Sequence, residues 1–258
     1  MTKLRFLYTS WLVHLRQIST MKVYVFDSVV LPLIFATIVA RLAARSGSPA
    51  TITTATLGTA VMGMWVTTLS GTGGSISRLR VMGLLEPIVA APTPLSWAYA
   101  GNALASSTLG IYSVVATLLW SVFGLGLDLR IGSPAALALA VIVMVFATAA
   151  LGVVLSVSLV MSARAQSMSN LLEYPMWILL GAVVPLSFLP RWAEPLSWLL
   201  APSWGMRAIQ AAVAGDVARS MAMVSICVLV TAAYWAIGAM LLRWVERLAR
   251  EKAVLALS

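Results

Sequence analysis

Apolar residues run through this chain in long blocks, without the two-residue alternation of half-buried strands. The blocks are VYVFDSVVLPLIFATIVA from Val23, ATITTATLGTAVMGMWVTTLS from Ala50 to Ser70, Leu95 to Leu127, Ala135 to about Met161, Leu171 to about Leu189, and Met221 to Leu242. A hydrocarbon core of roughly 30 Å takes about 20 helical residues, and backbone in lipid must satisfy its own hydrogen bonds, so each block predicts a transmembrane helix. The expected fold class is an all-α integral membrane protein with six transmembrane helices. The third block is too long for one perpendicular span, and Asn102, Ser106, Ser107 and Thr108 dilute its start, so its hydrocarbon part is expected at 105–127.

Between and around the blocks the pattern changes. Residues 3–22 place Leu4, Leu7, Tyr8, Trp11, Leu12, Leu15 and Ile18 on one helical stripe, with Lys3, Arg5, Thr9, Ser10, Arg16 and Gln17 opposite. Such a moment predicts an amphipathic helix lying in the headgroup plane. The segment RLRVMGLLEPIVAAPTP, Arg78 to Pro94, mixes Arg78, Arg80 and Glu86 with Val81, Met82, Leu84, Leu85 and Ile88 at helical spacings. It predicts a second short interfacial helix, limited by Pro87 and ended by Pro92 and Pro94. A docking element for a soluble partner and an ordinary interfacial loop both fit. Pro190, Pro195 and Pro202 break residues 190–213 into pieces too short to cross, with Trp192, Trp198 and Trp204 where an aromatic belt belongs. Two helices that dip into the leaflet and return are expected there. Residues 243–258 read as a solvated helical tail, with Glu246 and Arg250, and Arg247 and Glu251, at i,i+4.

Composition agrees with a membrane protein: 61% of the 258 residues are hydrophobic and 10% charged, and mean hydropathy is +0.97. The net charge of +9 does not indicate nucleic acid, because the basic residues cluster at the ends of apolar blocks. Lys3, Arg5, Arg16, Lys22, Arg78, Arg80, Arg164, Arg243, Arg247, Arg250 and Lys252 fall on one side of the six-span arrangement. The smaller set of Arg41, Arg45, Arg130, Arg191, Arg207 and Arg219 falls on the other, so both termini and the 78–94 loop are expected in the cytoplasm, with the protein multi-pass in the plasma membrane. A single cysteine, Cys227, excludes an internal disulfide; a single histidine, His14, is expected at the surface and leaves no evident metal site. Residues 1–22 lack a contiguous apolar core and a cleavage site, so no signal peptide is expected.

A few polar residues inside the blocks invite functional readings. The second block carries Thr51, Thr53, Thr54, Thr56, Thr59, Thr67 and Thr68; their hydroxyls can bond back to helix carbonyls with close packing at Gly58 and Gly63, or line a polar path. Asp27 is expected near the headgroups or against protein, and Pro32 predicts a kink. Glu173 either pairs with a base such as Arg164 or Arg80 or snorkels to the headgroups. No G-x-x-x-x-G-K-[ST] occurs, so the chain has no phosphate-binding loop of its own.

With these stretches placed, the chain resembles the ABC-2 family of transporter membrane subunits, the permease halves of type V ABC exporters. Arg80, Gly83, Glu86 and Pro92 keep the spacing of that family's loop between spans two and three, with Leu84 in place of its usual threonine and Pro87 as a departure. Asn170, Pro175, Gly181, Pro185, Leu189, Pro190 and Pro202 look like its recurrent positions ahead of the re-entrant helices. The resemblance implies that residues 76–90 are a cytoplasmic coupling helix seated on an ABC ATPase subunit, with Arg78, Arg80, Gly83, Glu86 and Pro92 as its coupling residues. It implies a second permease subunit, as homodimer or heterodimer, and ATP and Mg on the ATPase partners, with no cofactor, metal or catalytic residue on this chain. Spans two and five would face the path, with Thr59, Thr67, Trp177 and Leu180 as candidates and Glu173 as a candidate intramembrane charge.

The function expected from this is export of a lipophilic, drug- or antibiotic-like small molecule by alternating access. Export of lipid-linked or polysaccharide cargo fits as well. An ion-gradient secondary transporter would lead one to expect mid-span ionisable residues and an inverted repeat, and an intramembrane enzyme a metal set or a nucleophile and base; neither pattern is evident.

Overall fold

A computed structural model of the chain describes residues 3–22, 26, 30–44, 49–68, 71, 95–159, 171, 174–182 and 191–256. Among these the regular elements are helices: α1 (Lys3–Thr20), α2 (Leu31–Ala44), α3 (Pro49–Thr68), α4 (Leu95–Leu119), α5 (Pro134–Leu159), α6 (Ala193–Leu199), α7 (Ala201–Val213) and α8 (Val217–Ala256). A further helical segment covers 174–179. By length and composition three stretches can cross a membrane, Ala100–Gly124, Pro134–Leu155 and Val217–Val245, while the apolar helix Leu31–Leu42 is shorter. The 20-residue α3 is diluted by threonine. The remaining expected spans draw on 23–29 and 160–190, much of which lies outside the described residues.

The helices pack through small residues, because lipid supplies no hydrophobic force between them. A side chain at Gly63 of α3 would collide with Pro32 of α2 and Ser113 of α4, so three helices meet at that glycine. Gly205 of α7 lies as closely on Met144 of α5. Met144, Met206, Trp65 and Leu180 are completely enclosed in the core that α3, α5, α7 and 174–182 share. Pro32 is the second residue of α2, which follows directly on a π-helical residue, Val30; residues 27–29, on which the expected kink also depends, lie outside the described residues.

The third block, whose hydrocarbon part is expected at 105–127, has its apolar helical stretch at Ala100–Gly124 and closes in a π-helical turn at Trp120–Gly124. Thr117 and Ser121 donate their hydroxyls to the carbonyls of Ser113 and Thr117, at 2.8 Å each, in the turns that lead into it. The Leu125 amide then reaches Trp120 O at 3.0 Å, and the Trp120 indole donates across to Thr37 of α2 at 3.0 Å.

The two ends of the bundle differ. At one, the turn after α4 joins the end of α7: Gly132 N–H bonds Val213 O (3.1 Å), Ser133 N–H bonds Ala212 O (3.0 Å), and Arg130 N–H reaches Thr53 Oγ1 (3.1 Å). Gly215, at φ +81°, allows the Asp216 amide to close back on Ala211 O, and the Asp216 carboxylate then caps α8 through Arg219 N–H at 2.9 Å. At the other end α1 lies along the first half of α4. Ile18 is buried and the Trp11 indole donates to Thr108 at 3.1 Å, whereas Leu4 and Tyr8 of the same stripe remain exposed. His14, expected at the surface, is of intermediate exposure, and its Nδ1–H donates to Ser10 O of its own helix at 2.7 Å.

Candidate functional site

Three places hold polar groups that packing an apolar bundle does not require. The first is the end where α1 meets α4. Gly101 of α4 lies directly against Ser10 and Trp11 of α1. The next residue, buried Asn102, donates Nδ2–H to the carbonyl of Gly71 at 3.1 Å. Asn102 thereby fixes the exit of the chain below α3, and Leu95 opens α4 on the return. Residues 72–94 between them, with Arg78, Arg80, Gly83, Glu86 and Pro92, lie outside the described residues, as does Glu173.

The second place is the interior where α3 meets 174–182. The segment expected to run helically to about Leu189 stops at 179, and the physical reason is Gly181. At φ +72° it lets its own amide bond Ile178 O (3.0 Å) and the Ala182 amide bond Trp177 O (3.1 Å), which closes the helix. Residues 183–190 lie outside the described residues. Trp177 presents its ring edge-on to Phe35 (6.0 Å) and Tyr174 (5.3 Å). Thr59, Thr67, Trp177 and Leu180 are all buried, but they are not one polar cluster. Thr59 Oγ1 donates to Thr56 O at 2.7 Å and Thr67 Oγ1 to Gly63 O at 2.6 Å, the local bonding that threonine favours in a helix.

Other groups have no such outlet. Among the described residues, the indole N–H groups of Trp65 and Trp177 and the hydroxyls of Thr56, Thr68, Ser106 and Ser113 are buried without a hydrogen-bond partner. An orphaned buried donor costs about 1–3 kcal/mol, and an indole has no acceptor face to compensate. Nothing in the sequence singles out Trp65, which sits in an apolar run like its neighbours. Its significance emerges from its complete enclosure.

The third place is the hairpin of α6 and α7, which sequence predicts as two short pieces within 190–213. Leu200, extended at φ −84° and ψ 114°, separates the helices. Ser203 donates to Leu200 O at 2.8 Å and also bonds Ser197 O. The Trp204 indole donates to Trp198 O at 2.8 Å. Arg207 lies with its guanidinium 4.6 Å from the centre of the Trp204 ring and donates Nη2–H to Ser197 Oγ at 2.9 Å. Burial pulls this guanidinium below its ordinary pKa, and the Glu194 carboxylate opposes that pull. The hairpin is fastened to α8 by Tyr234 OH to Leu199 O (2.8 Å), Cys227 Sγ to Ala201 O (3.2 Å) and Ser220 Oγ to Ala208 O (3.0 Å). Among the described residues no group of His, Cys, Asp and Glu is assembled to hold a metal ion.

Compared with known protein families, residues 6–214 match the family described as ABC-2 type transporter, a stretch that begins inside α1 and ends with α7. No curated protein matches the sequence.

Proposed function

Because the chain belongs to the ABC-2 type transporter family, we propose that this ABC permease subunit is one membrane half of an ATP-driven exporter that carries a lipophilic small molecule outward. The halves work as a dimer, and separate ATPase subunits hold ATP and Mg. Residues 76–90 receive the force of nucleotide closure, with Arg78, Arg80, Gly83, Glu86 and Pro92 forming the contact. The observation that carries this role is the anchorage of that loop. Buried Asn102 holds Gly71 on one flank, and α1 is laid against the first half of α4 on the other. A push on 72–94 therefore meets two long helices held by hydrogen bonding and close packing rather than a slack tether.

The moving seam lies between α3 and 174–182. Alternating access has to open a face, and this one already contains buried donors with no partner among the described residues, Trp65 and Trp177. A cargo acceptor or water admitted there removes their penalty, so opening is less costly than at a fully satisfied interface.

The test is transport in vesicles containing this chain and its ATPase, with the double reversal Arg80→Glu and Glu86→Arg. Export should fall about tenfold or more, equivalent to about 1.4 kcal/mol of lost coupling, while the chain still inserts and melts as before. Unchanged ATP-driven export would remove the docking role. Pumping by this chain alone on a proton or sodium gradient would remove the exporter reading itself.

A further inference from the structure

Arg207 is the most constrained cation among the described residues, and the bonding described above does not account for the constraint. A guanidinium offers five N–H donors in a planar fork. Among the described residues Ser197 Oγ takes the one hydrogen bond it makes, and Trp204 covers one face. Ser197 is itself fixed, since its hydroxyl donates to Glu194 O at 2.8 Å and its carbonyl accepts from Ser203. The side chain is thus oriented by a buried serine and an aromatic ring, with most of its fork still able to donate.

The surroundings indicate what completes it. Leu196, Trp198 and Leu199 of α6 are exposed, as are Arg191 and Trp192 just before it. Exposed tryptophan beside arginine is the pattern of the headgroup level, where aromatic rings lie at the acyl boundary and cations reach the phosphates. A guanidinium fork matches two oxygens of a phosphate, and each such charge-assisted bond is roughly twice as strong as a neutral one. Among the described residues Glu194 is the carboxylate whose charge acts on Arg207, and it is exposed, where solvent screens it.

We propose that Arg207, oriented by Ser197 and Trp204, is a binding site for the phosphodiester of a membrane phospholipid, and that this lipid seats the α6–α7 hairpin at the headgroup level. The ligand chemistry is a singly charged phosphodiester, with the acyl chains lying along the exposed Trp192, Leu196 and Trp198. This goes beyond the export function and needs no nucleotide. Failure here leaves the permease role standing, and failure of coupling leaves this site standing.

The experiment is native mass spectrometry of the full-length chain in detergent, titrated with three diacyl lipids of identical chains: phosphatidylglycerol, phosphatidylcholine and diacylglycerol. Both phosphodiester lipids should be retained in preference to diacylglycerol, and Arg207→Gln should reduce that retention about tenfold. Arg207→Lys, which keeps charge and stem but not the fork, should lose part of the binding, and Glu194→Gln should strengthen it. Arg207→Lys also serves if Arg207→Gln unfolds, which the melting curve will reveal. Equal retention by the wild type, Arg207→Lys and Glu194→Gln overturns the proposal. So does retention of diacylglycerol equal to that of the phospholipids. Full displacement by millimolar inorganic phosphate would mark a site for free phosphate and overturn the lipid assignment.

Discussion

Gly58 of α3 and Ala182 stand in backbone contact: a side chain on Gly58 would run into the Ala182 carbonyl oxygen. Both partners are main chain, so neither can rotate out of the way. Overpacking a site with some freedom costs about 1–3 kcal/mol, and Gly58→Ala should reach or exceed the upper end. Gly126 is the control. It has φ +66° with nothing within 4 Å of an added Cβ, so Gly126→Ala meets only left-handed backbone strain, about 1–2 kcal/mol. Thermal melting in one detergent should rank Gly58→Ala below Gly126→Ala. The reverse order would mean that α3 and 174–182 are not in contact.

Asp216 begins the longest helix, the 40-residue α8, by accepting Arg219 N–H at 2.9 Å. Replacing an N-cap aspartate by alanine costs about 0.5–2 kcal/mol, so Asp216→Ala should lower the melting temperature by a few degrees. Asp216→Asn or Asp216→Ser should restore most of it, since each brings an oxygen to the same amide. If the alanine and serine variants melt together, the carboxylate does not cap α8.

How much of this was legible in the sequence depends on which physical rule fixed each element. The α4 and α5 blocks declared themselves by apolar length, and their ends fell near the predicted ones because Asp128, Arg130 and Pro134 are incompatible with continuing in lipid. The two short helices α6 and α7 followed from the prolines, since Pro195 and Pro202 each stand in a first helical turn, where a proline is tolerated. The stop at Gly181 was not predicted from the residues themselves, since a glycine within LLGAVV is equally at home inside a packed transmembrane helix. Only its positive φ, which depends on tertiary context, makes it a terminus. The apolar stripe of α1 was only partly a guide to its packing: Trp11 bonds Thr108 of α4 and Ile18 is buried, while Leu4 and Tyr8 of the same stripe stay exposed. At the candidate site, Thr59 and Thr67 were visible as unusual residue types. Trp65 and Arg207 gain their meaning from enclosure and from one fixed partner, neither of which is a property of local sequence.

Tyr234 ties α8 to the hairpin through its hydroxyl and Leu199 O at 2.8 Å, and Tyr234→Phe removes that bond while keeping the ring. Leu199 is exposed on α6, so its carbonyl regains water and the loss is local, about 0.5–1.5 kcal/mol. Hydrogen exchange should therefore accelerate at 193–200, up to about tenfold, with 217–230 unchanged because Ser220 and Cys227 still bond α7. Uniform acceleration along the chain, or none, would contradict a hairpin held as a separate unit.

Trp177 sets two effects against each other, which makes it the sharpest probe of the proposed seam. Trp177→Phe removes a buried N–H that has no partner among the described residues, a gain of about 1–3 kcal/mol, and removes ring volume from a core position, a loss of similar size. The edge contacts with Phe35 and Tyr174 are partly retained by the phenyl ring. The closed state should thus melt within about 3 °C of the wild type. Transport should respond differently. If opening lets the indole find an acceptor, the wild type gains a hydrogen bond on opening that the variant lacks, and the variant opens less readily. The export rate of Trp177→Phe should then fall about tenfold, and Trp65→Phe should behave alike, because both donors lose their penalty in the same step. A rate that follows melting temperature in both variants would make the orphaned indoles a packing compromise, and the path would have to lie on another face of α3.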